Sequence, residues 1–375
     1  MKVEILQEKL KEGLGIVERV ASKSLTLPIL NNILVNAEKN FLNLAATDLE
    51  IGIKWWALAK IEKTGKITVP ARVFSNFISL LPNKKVDLET IDTSLKISTE
   101  NYTTQIKSFS ADDFPIIPTL TEGEFISLEN ISFCQSLNQV VDIAIPSTAR
   151  PEISGVYFLF QKDLIVMATT DSFRLGEKKI FIENPLDTKG YSFILPQKTA
   201  REIINIFGEK KGNLKIYFSP NQVMFEFLMA ETPHPQLQLI SRLIEGEYPN
   251  YQEIIPKKFE TQLILPRNEF LNQIKLASLF SGKINEVKFK IDSKNQKVEI
   301  FSQNPELGEY QSNLGGKIKG QPLEISFNHR FLIDGLLNIK SSEVILELNG
   351  EGGPGVLKPV GDPSYIYVVM PIKAS

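Results

Sequence analysis

The chain has 375 residues, 42% hydrophobic and 23% charged, with a formal net charge of −2. That size allows two or three domains of ordinary globular composition, and so small a charge counts against a protein that grips nucleic acid through many phosphate contacts. One cysteine, Cys134, excludes an internal disulfide and a thiolate metal cluster, as in a reducing compartment. Met1-Lys2-Val3-Glu4 opens without the apolar run of a signal peptide, and no stretch reaches membrane-span length. A cytoplasmic location is the expectation.

Apolar Leu6, Leu10, Leu14 and Val17 recur at helical spacing, which predicts a strand over 2–5 running into a helix. Strands are predicted over 33–37, over 41–45 and, as one long piece holding Trp55 and Trp56, over 51–61. A strand ends at Pro70, and a helix to about Leu81 follows with Phe74, Phe77, Ile78 and Leu81 on one face. Strands over 86–88, 95–98 and 103–109 lead to Asp112-Asp113-Phe114-Pro115-Ile116-Ile117-Pro118. The order then repeats. Residues 125–143 read as strand then helix, 156–160 and 164–168 as a hairpin. A strand ends at Pro196, and its helix stops at Gly208. Strands over 214–218, 223–228 and 236–243 precede Tyr248-Pro249 through Ile254-Ile255-Pro256, which echoes 114–118. A third copy has a strand ending at Pro266 and a helix to about Phe280. Strands over 287–291, 298–302 and 323–327, a helix after Asn328, and strands over 344–348, 355–358 and 365–371 complete it.

Two short signatures mark the repetition. Ala45-Ala46-Thr47-Asp48 and Ala168-Thr169-Thr170-Asp171 each end an apolar strand, about one domain length apart. The third copy has Ser302-Gln303-Asn304-Pro305, where the signature is lost. The reading is three similar domains, 1–122, 123–256 and 257–375, each doubled internally as strand, helix and strands. The predicted class is α+β, with two helices over one face of antiparallel sheet in each domain.

Catalytic constellations are scarce. His234 lies between Pro233 and Pro235, His329 stands at a helix start, and no Gly-x-Ser-x-Gly elbow occurs. Gly350-Glu351-Gly352-Gly353-Pro354-Gly355 lacks the Lys-Ser/Thr of a phosphate loop and reads as a hairpin loop. Asp112-Asp113 has no third ligand at metal spacing and reads as a solvated turn. No cofactor is expected. Basic Arg72, Lys198, Arg201, Arg267, Lys275 and Arg330 fall on predicted helices, where a solvated face is the ordinary explanation. Arg72, Lys198 and Arg330 each follow the strand-ending Pro70, Pro196 and Asn328 by two residues. Equivalent helices thus carry a positive charge at one place, and would line one surface if the domains formed an arc.

Taken together, Leu27-Pro28-Ile29-Leu30-Asn31-Asn32, Ala46-Thr47-Asp48-Leu49-Glu50, Val69-Pro70-Ala71-Arg72 and Ala111-Asp112-Asp113-Phe114-Pro115 resemble the first domain of the bacterial sliding clamps, the β subunits of DNA polymerase III. Thr169-Thr170-Asp171 through Arg174-Leu175, Gly246 through Tyr251, and Tyr367-Val368-Val369-Met370-Pro371-Ile372 resemble that family's later signatures. The agreement runs in order over essentially the whole chain. The resemblance implies a homodimeric ring closed head to tail, first domain to third, with helices inside and sheets outside. It implies double-stranded DNA threaded through the ring, no catalysis, and a DNA-facing set of Lys23, Arg72, Lys198, Arg201, Arg267, Lys275 and Arg330. Topology then replaces tight phosphate contacts, which fits the small net charge. For the dimer contact, 101–108 facing 277–281 is the expectation.

The resemblance further implies a cleft for short peptides of the polymerase III α subunit, the clamp loader, other polymerases and mismatch-repair proteins. Carried onto this chain, the cleft is Arg150, Ile153, Thr170, Phe173, Arg174, Leu175, Pro249, Ile254, Val368, Met370 and Pro371. Pro, Val, Met and Leu from distant segments can make an apolar pocket, and Met adapts to varied partners. Ser172-Phe173 stands where family members often carry Gly-His, and Glu253 where a basic residue can occur. The competing reading, a duplicated α+β enzyme or small-ligand domain, needs convergent titratable residues that the sequence does not display.

Overall fold

The computed structural model describes residues 1–21, 26–120, 125–182 and 190–373; Lys23 lies outside them. The chain opens with β1 (Lys2–Leu6) and α1 (Gln7–Val17), then β2 (Asn32–Glu38), β3 (Phe41–Thr47), β4 (Ile51–Leu58), β5 (Lys60–Lys63) and β6 (Gly65–Pro70). Next come α2 (Ala71–Leu80), β7 (Lys85–Ile91), β8 (Ser94–Thr99) and β9 (Tyr102–Lys107). The middle repeat holds β10 (Phe125–Glu129), α3 (Asn130–Val140), β11 (Gly155–Phe160), β12 (Leu164–Thr170), β13 (Arg174–Phe181), β14 (Tyr191–Pro196), α4 (Gln197–Phe207), β15 (Asn213–Phe218), β16 (Gln222–Leu228) and β17 (Pro235–Arg242). The last repeat begins with β18 (Thr261–Pro266), α5 (Arg267–Ser278), β19 (Glu286–Asp292), β20 (Lys297–Asn304), β21 (Gly308–Gly315) and β22 (Lys317–Gly320). It ends with β23 (Leu323–Asn328), α6 (His329–Leu337), β24 (Glu343–Leu348), β25 (Gly355–Pro359) and β26 (Tyr365–Val369). No helix among the described residues is long and apolar enough to cross a membrane.

Two compact units result. Unit 1 comprises Met1–Cys134 and Arg201–Leu243. Its sheets run β5-β1-β7-β8-β9 and β10-β15-β16-β17-β4-β3-β2-β6. Unit 2 comprises Gln135–Ala200 and Ile244–Ser375, with sheets β14-β11-β12-β13-β26-β25-β24-β18-β22 and β21-β20-β19-β23. The middle repeat is therefore shared. Its β17 extends the first repeat's sheet at β4, and its β13 extends the third repeat's sheet at β26, both antiparallel.

The helices form where the apolar spacing predicts. In α1, Leu10, Leu14 and Val17 are buried, and Gln7 Nε2 donates to the Ile78 carbonyl of α2 at 2.7 Å. Gly13 faces the fully buried Trp55, whose ring occupies the space a Cβ would need. Burying each large apolar side chain contributes about 1.5–3 kcal/mol. In α5, Phe270, Ile274 and Ala277 are buried, and α6 starts where the Asn328 side chain accepts from the Arg330 amide. That cap satisfies one of the helix's orphan donors.

Three expectations differ from the structure. The long strand over 51–61 breaks after Leu58. Strand β3 supplies partners only as far as Phe41, opposite Leu58, because the chain turns at Lys39 with φ +47°. The Ala59 amide bonds Asn40 in that turn, and β5 leaves to pair with β1 in the other sheet. Second, β13, β21 and β22 have no predicted counterpart. Their sequences are mostly polar and glycine-bearing, and pairing with neighbouring strands forms them. Third, α2 and α5 end at Leu80 and Ser278, slightly before the predicted limits.

His329 is buried at the start of α6, with Nε2 3.0 Å from Ser281 Oγ. Burial, then the Arg330 charge, lowers its pKa below the ordinary value. The folded state thus favours the neutral ring, and the unfolded chain binds more protons below about pH 6.5. Stability should rise with pH through that region and fall as pH drops through it. The melting temperature is expected to be lower at pH 5.5 than at pH 7.5, and His329→Gln should narrow the gap in paired thermal melts.

Candidate functional site

The repeated Thr-Asp signature is a hairpin clasp. Between β12 and β13, Thr170 Oγ1 donates to the Arg174 carbonyl at 2.8 Å and accepts from the Ser172 amide at 3.1 Å. Asp171 Oδ1 accepts from the Phe173 and Arg174 amides at 3.0 and 2.9 Å. Between β3 and β4, Thr47 Oγ1 bonds the Ile51 carbonyl at 2.8 Å and the Leu49 amide at 3.0 Å. Asp48 Oδ1 accepts from the Glu50 and Ile51 amides at 3.0 and 2.7 Å. Short Thr and Asp side chains suit this task because they can replace backbone partners in a tight turn. The third clasp residue has positive φ in both, +76° at Leu49 and +77° at Ser172. In the third repeat Asn304 keeps part of the role, its Oδ1 accepting from the Glu306 amide at 2.9 Å. Ser302 and Thr169 also correspond. Their hydroxyls donate to helix-end carbonyls, Ala277 at 2.6 Å and Val140 at 2.7 Å.

In unit 2 the clasp carries a buried cation. Arg174 Nε bonds Asp171 Oδ2 at 2.9 Å, its Nη1 pairs with Asp334 on α6, and its guanidinium stands 4.7 Å from the Phe331 ring centroid. Burial opposes the charge. Tyr367 and the two aspartates outweigh that, and its pKa is raised. Phe173 is 62% exposed and stacks on Phe331 at 6.5 Å. The Met370 amide donates to the Phe173 carbonyl at 2.8 Å, and Arg150 Nη1 donates to Ser172 Oγ at 3.1 Å. Arg150, Phe173, Arg174 and Met370 are therefore gathered around one clasp.

The other cleft residues divide. Leu175 and Val368 are 2% and 1% exposed and belong to a core cluster with Ala168, Tyr251 and Val356. They are part of the packed interior of unit 2. Ile153 and Thr170 are also buried. Ile254 is exposed, and Pro249, Met370 and Pro371 are half-buried. The segment bearing Pro249 is held by Tyr248 stacked on Tyr157 at 4.9 Å and by Tyr251 Oη donating to Glu177 Oε2 at 2.7 Å. Sequence reasoning missed Phe331 and Asp334. Their i,i+3 spacing puts both on one helix face, a signal that has meaning only once Arg174 is beside them.

The predicted cations occupy the helices. Arg72 and Arg330 are exposed in the first turns of α2 and α6, and Lys198 is exposed in the first turn of α4. Positive charge there works against the helix dipole, by about 0.3–1 kcal/mol each. Arg201 follows in α4, half-buried, its pKa lowered by burial. Lys275 is exposed in the last turn of α5. Arg267 differs, because its Nε donates to the Leu336 carbonyl at 3.1 Å and caps the end of α6.

Three family models match in succession. They are the N-terminal domain of the DNA polymerase III beta subunit over residues 1–118, its central domain over 127–250 and its C-terminal domain over 252–373. The chain belongs to the β sliding clamp family. A Beta sliding clamp of Synechococcus elongatus is 29% identical over 382 residues, covering 100% of this chain and 99% of the relative. One from Staphylococcus aureus is 29% identical, covering 95% and 94%. The crystal structure of the DNA polymerase sliding clamp from Bacillus subtilis superposes with a TM-score of 0.94 at 26% identity, covering 100% of both chains. The Thermotoga maritima DNA polymerase III beta subunit, at 24% identity and a TM-score of 0.91, has the same fold. The fold is thus the α+β sliding-clamp fold of three repeated domains, and the clamp is a non-catalytic processivity factor of DNA polymerase III.

Proposed function

We propose that two copies of this clamp close head to tail into a ring around duplex DNA and hold the replicative polymerase on its template. Family membership over all three domains carries this reading. Domain limits of 1–122, 123–256 and 257–375 go with it. The helices face the DNA, and Arg72, Lys198, Arg201, Lys275 and Arg330 offer diffuse positive charge. The first-turn positions of Arg72, Lys198 and Arg330 cost helix stability, which gives those three a reason to exist beyond the fold. Lys23 belongs to the same set by family position. A net charge of −2 suits a ring retained by topology, since tight phosphate contacts would oppose sliding.

Among the described residues, the edge strands β9 of unit 1 and β21 of unit 2 are the ones we assign to closure. An unpaired edge invites pairing with another chain. The expected contact at 277–281 is extended here to the neighbouring strand. Those residues end α5 and turn, and α5 packs beside the edge strand β21. Helix α5 packs against β21, with Phe280 stacked on Tyr310, and exposes Leu276 and Leu279. First-to-third-domain pairing of β9 with β21 follows.

The surface around the 170–174 clasp takes short apolar peptides from the polymerase α subunit, the clamp loader, other polymerases and mismatch-repair proteins. Exposed Phe173 and Ile254 and half-buried Met370, Pro249 and Pro371 supply its apolar face, and Arg150 its polar edge. Retention tests the ring. Loaded onto nicked circular DNA by a clamp loader, the protein should stay through a high-salt wash and leave when the circle is cut. Equal loss from circular and linear DNA sinks the topological reading.

A further inference from the structure

Unit 1 contains a second groove, with a cavity of about 230 Å³ bounded by the 47–51 clasp, the 115–118 segment and the end of β17. Strand register relates it to the surroundings of the 170–174 clasp. Ile240 of β17 lies opposite Gly52 of β4, as Val368 of β26 lies opposite Leu175 of β13. The Arg242 amide donates to the Glu50 carbonyl at 3.0 Å, as the Met370 amide does to Phe173 at 2.8 Å. The adjoining segments are each tied to the same strand position. Lys54 Nζ donates to Thr119 Oγ1 at 2.8 Å, where Glu177 accepts from Tyr251.

The side chains differ, and the differences define a ligand. Gly52 leaves room for Ile117, since a Cβ there would stand 2.6 Å from Ile117 Cγ2. The chain's own 115–118 segment thus seats one aliphatic side chain against Ile240. Beside it Leu49 and Ile116 remain 43% and 94% exposed, an apolar mouth to a formed cavity. At the rim, Glu50 and Arg242 replace Phe173 and Met370. They approach no closer than 3.9 Å and are well exposed, so the pair holds the guanidinium weakly. Among the described residues Arg242 is the one cation in the cavity lining, and the Asp48 carboxylate is engaged by the clasp amides.

We infer that this groove binds a short acidic peptide. An aliphatic side chain enters between Leu49 and Ile116, and a neighbouring carboxylate takes the Arg242 guanidinium from Glu50. The choice of a peptide rests by analogy on the cleft reading, and the choice of an acidic one on Arg242. Acetylated Ser-Leu-x-Leu-Ser amides with Asp, Ser or Lys at x are the probes. An environment-sensitive dye on Asn221→Cys reads this groove, and one on Lys373→Cys reads the clasp of unit 2. Cys134 stays unlabelled, being buried with its thiol pushed up to about 12. The Asp peptide should give a saturable change at position 221, with Ser weaker and Lys weakest. Arg242→Ala should weaken the Asp peptide about tenfold, as loss of a charged hydrogen bond does, and Glu50→Gln should strengthen it. No saturation with any peptide, a Lys peptide as tight as the Asp one, or an indifferent Arg242→Ala overturns the inference. Silence at position 373 alone counts against the cleft reading and leaves this groove standing.

Discussion

Arg174→Ala is expected to cost about 3–5 kcal/mol of stability, the usual result of removing one partner from a buried ion pair. The guanidinium joins three things, the Asp171 carboxylate of its own clasp, Asp334 on α6, 160 residues along the chain, and the face of Phe331. Without it, the buried Asp171 carboxylate keeps only the Phe173 and Arg174 amides as partners. An unpaired buried charge is the largest single contribution to that loss. The cation–π contact goes as well, worth about 0.5–2 kcal/mol. Arg174→Lys should fall between, because an ammonium cannot fork to Asp171 and Asp334 in one plane. Urea melts followed by far-UV circular dichroism measure both variants. A loss below about 1 kcal/mol, the scale of an exposed pair, would mean the site is not dry. The same substitution releases the Phe173–Phe331 stack, so peptide affinity should fall with it.

Local chemistry was readable from the chain and long-range pairing was not. Leu10, Leu14 and Val17 announce α1 because one face of a helix must be apolar, and Pro70, Pro196 and Pro266 announce helix starts because a missing N–H costs nothing there. The Thr-Asp signature was visible as a repeat, yet its task as a clasp depends on φ values that no composition encodes. Asn304 shows the converse, keeping the acceptor role after the signature has gone. The sharing of the middle repeat between two units was invisible. It rests on β17 meeting β4 and β13 meeting β26, pairings between segments far apart in sequence. The candidate site followed the same rule. Family position singles out Arg174 and Phe173, but their partners on α6 come beside them only in the folded chain. Leu175 and Val368 are buried in a core cluster, and a strand's alternation alone does not tell core from the floor of a groove.

The correspondence between the two clasps gives the sharpest test of the cleft. Phe173→Glu combined with Met370→Arg would place the rim of unit 1 on unit 2. The backbone should accept it, because Glu50 and Arg242 already sit on the same amide-to-carbonyl bond. Phe173 is mostly exposed and Met370 half-buried, so the fold loses little core. A docked peptide loses much more. Two apolar contacts vanish, each worth about 1.5–3 kcal/mol when fully covered, and only part of that is realised at a surface rim. A net loss of about 2.7 kcal/mol is a hundredfold in Kd. Fluorescence anisotropy with a labelled polymerase-tail peptide should show that fall, while the mass in solution stays that of the unaltered protein. Affinity within about threefold of the parent would move the peptide site away from the 170–174 clasp. An acidic peptide that gains where an apolar one loses would show that the two rims, built on one backbone, select their ligands by these two side chains.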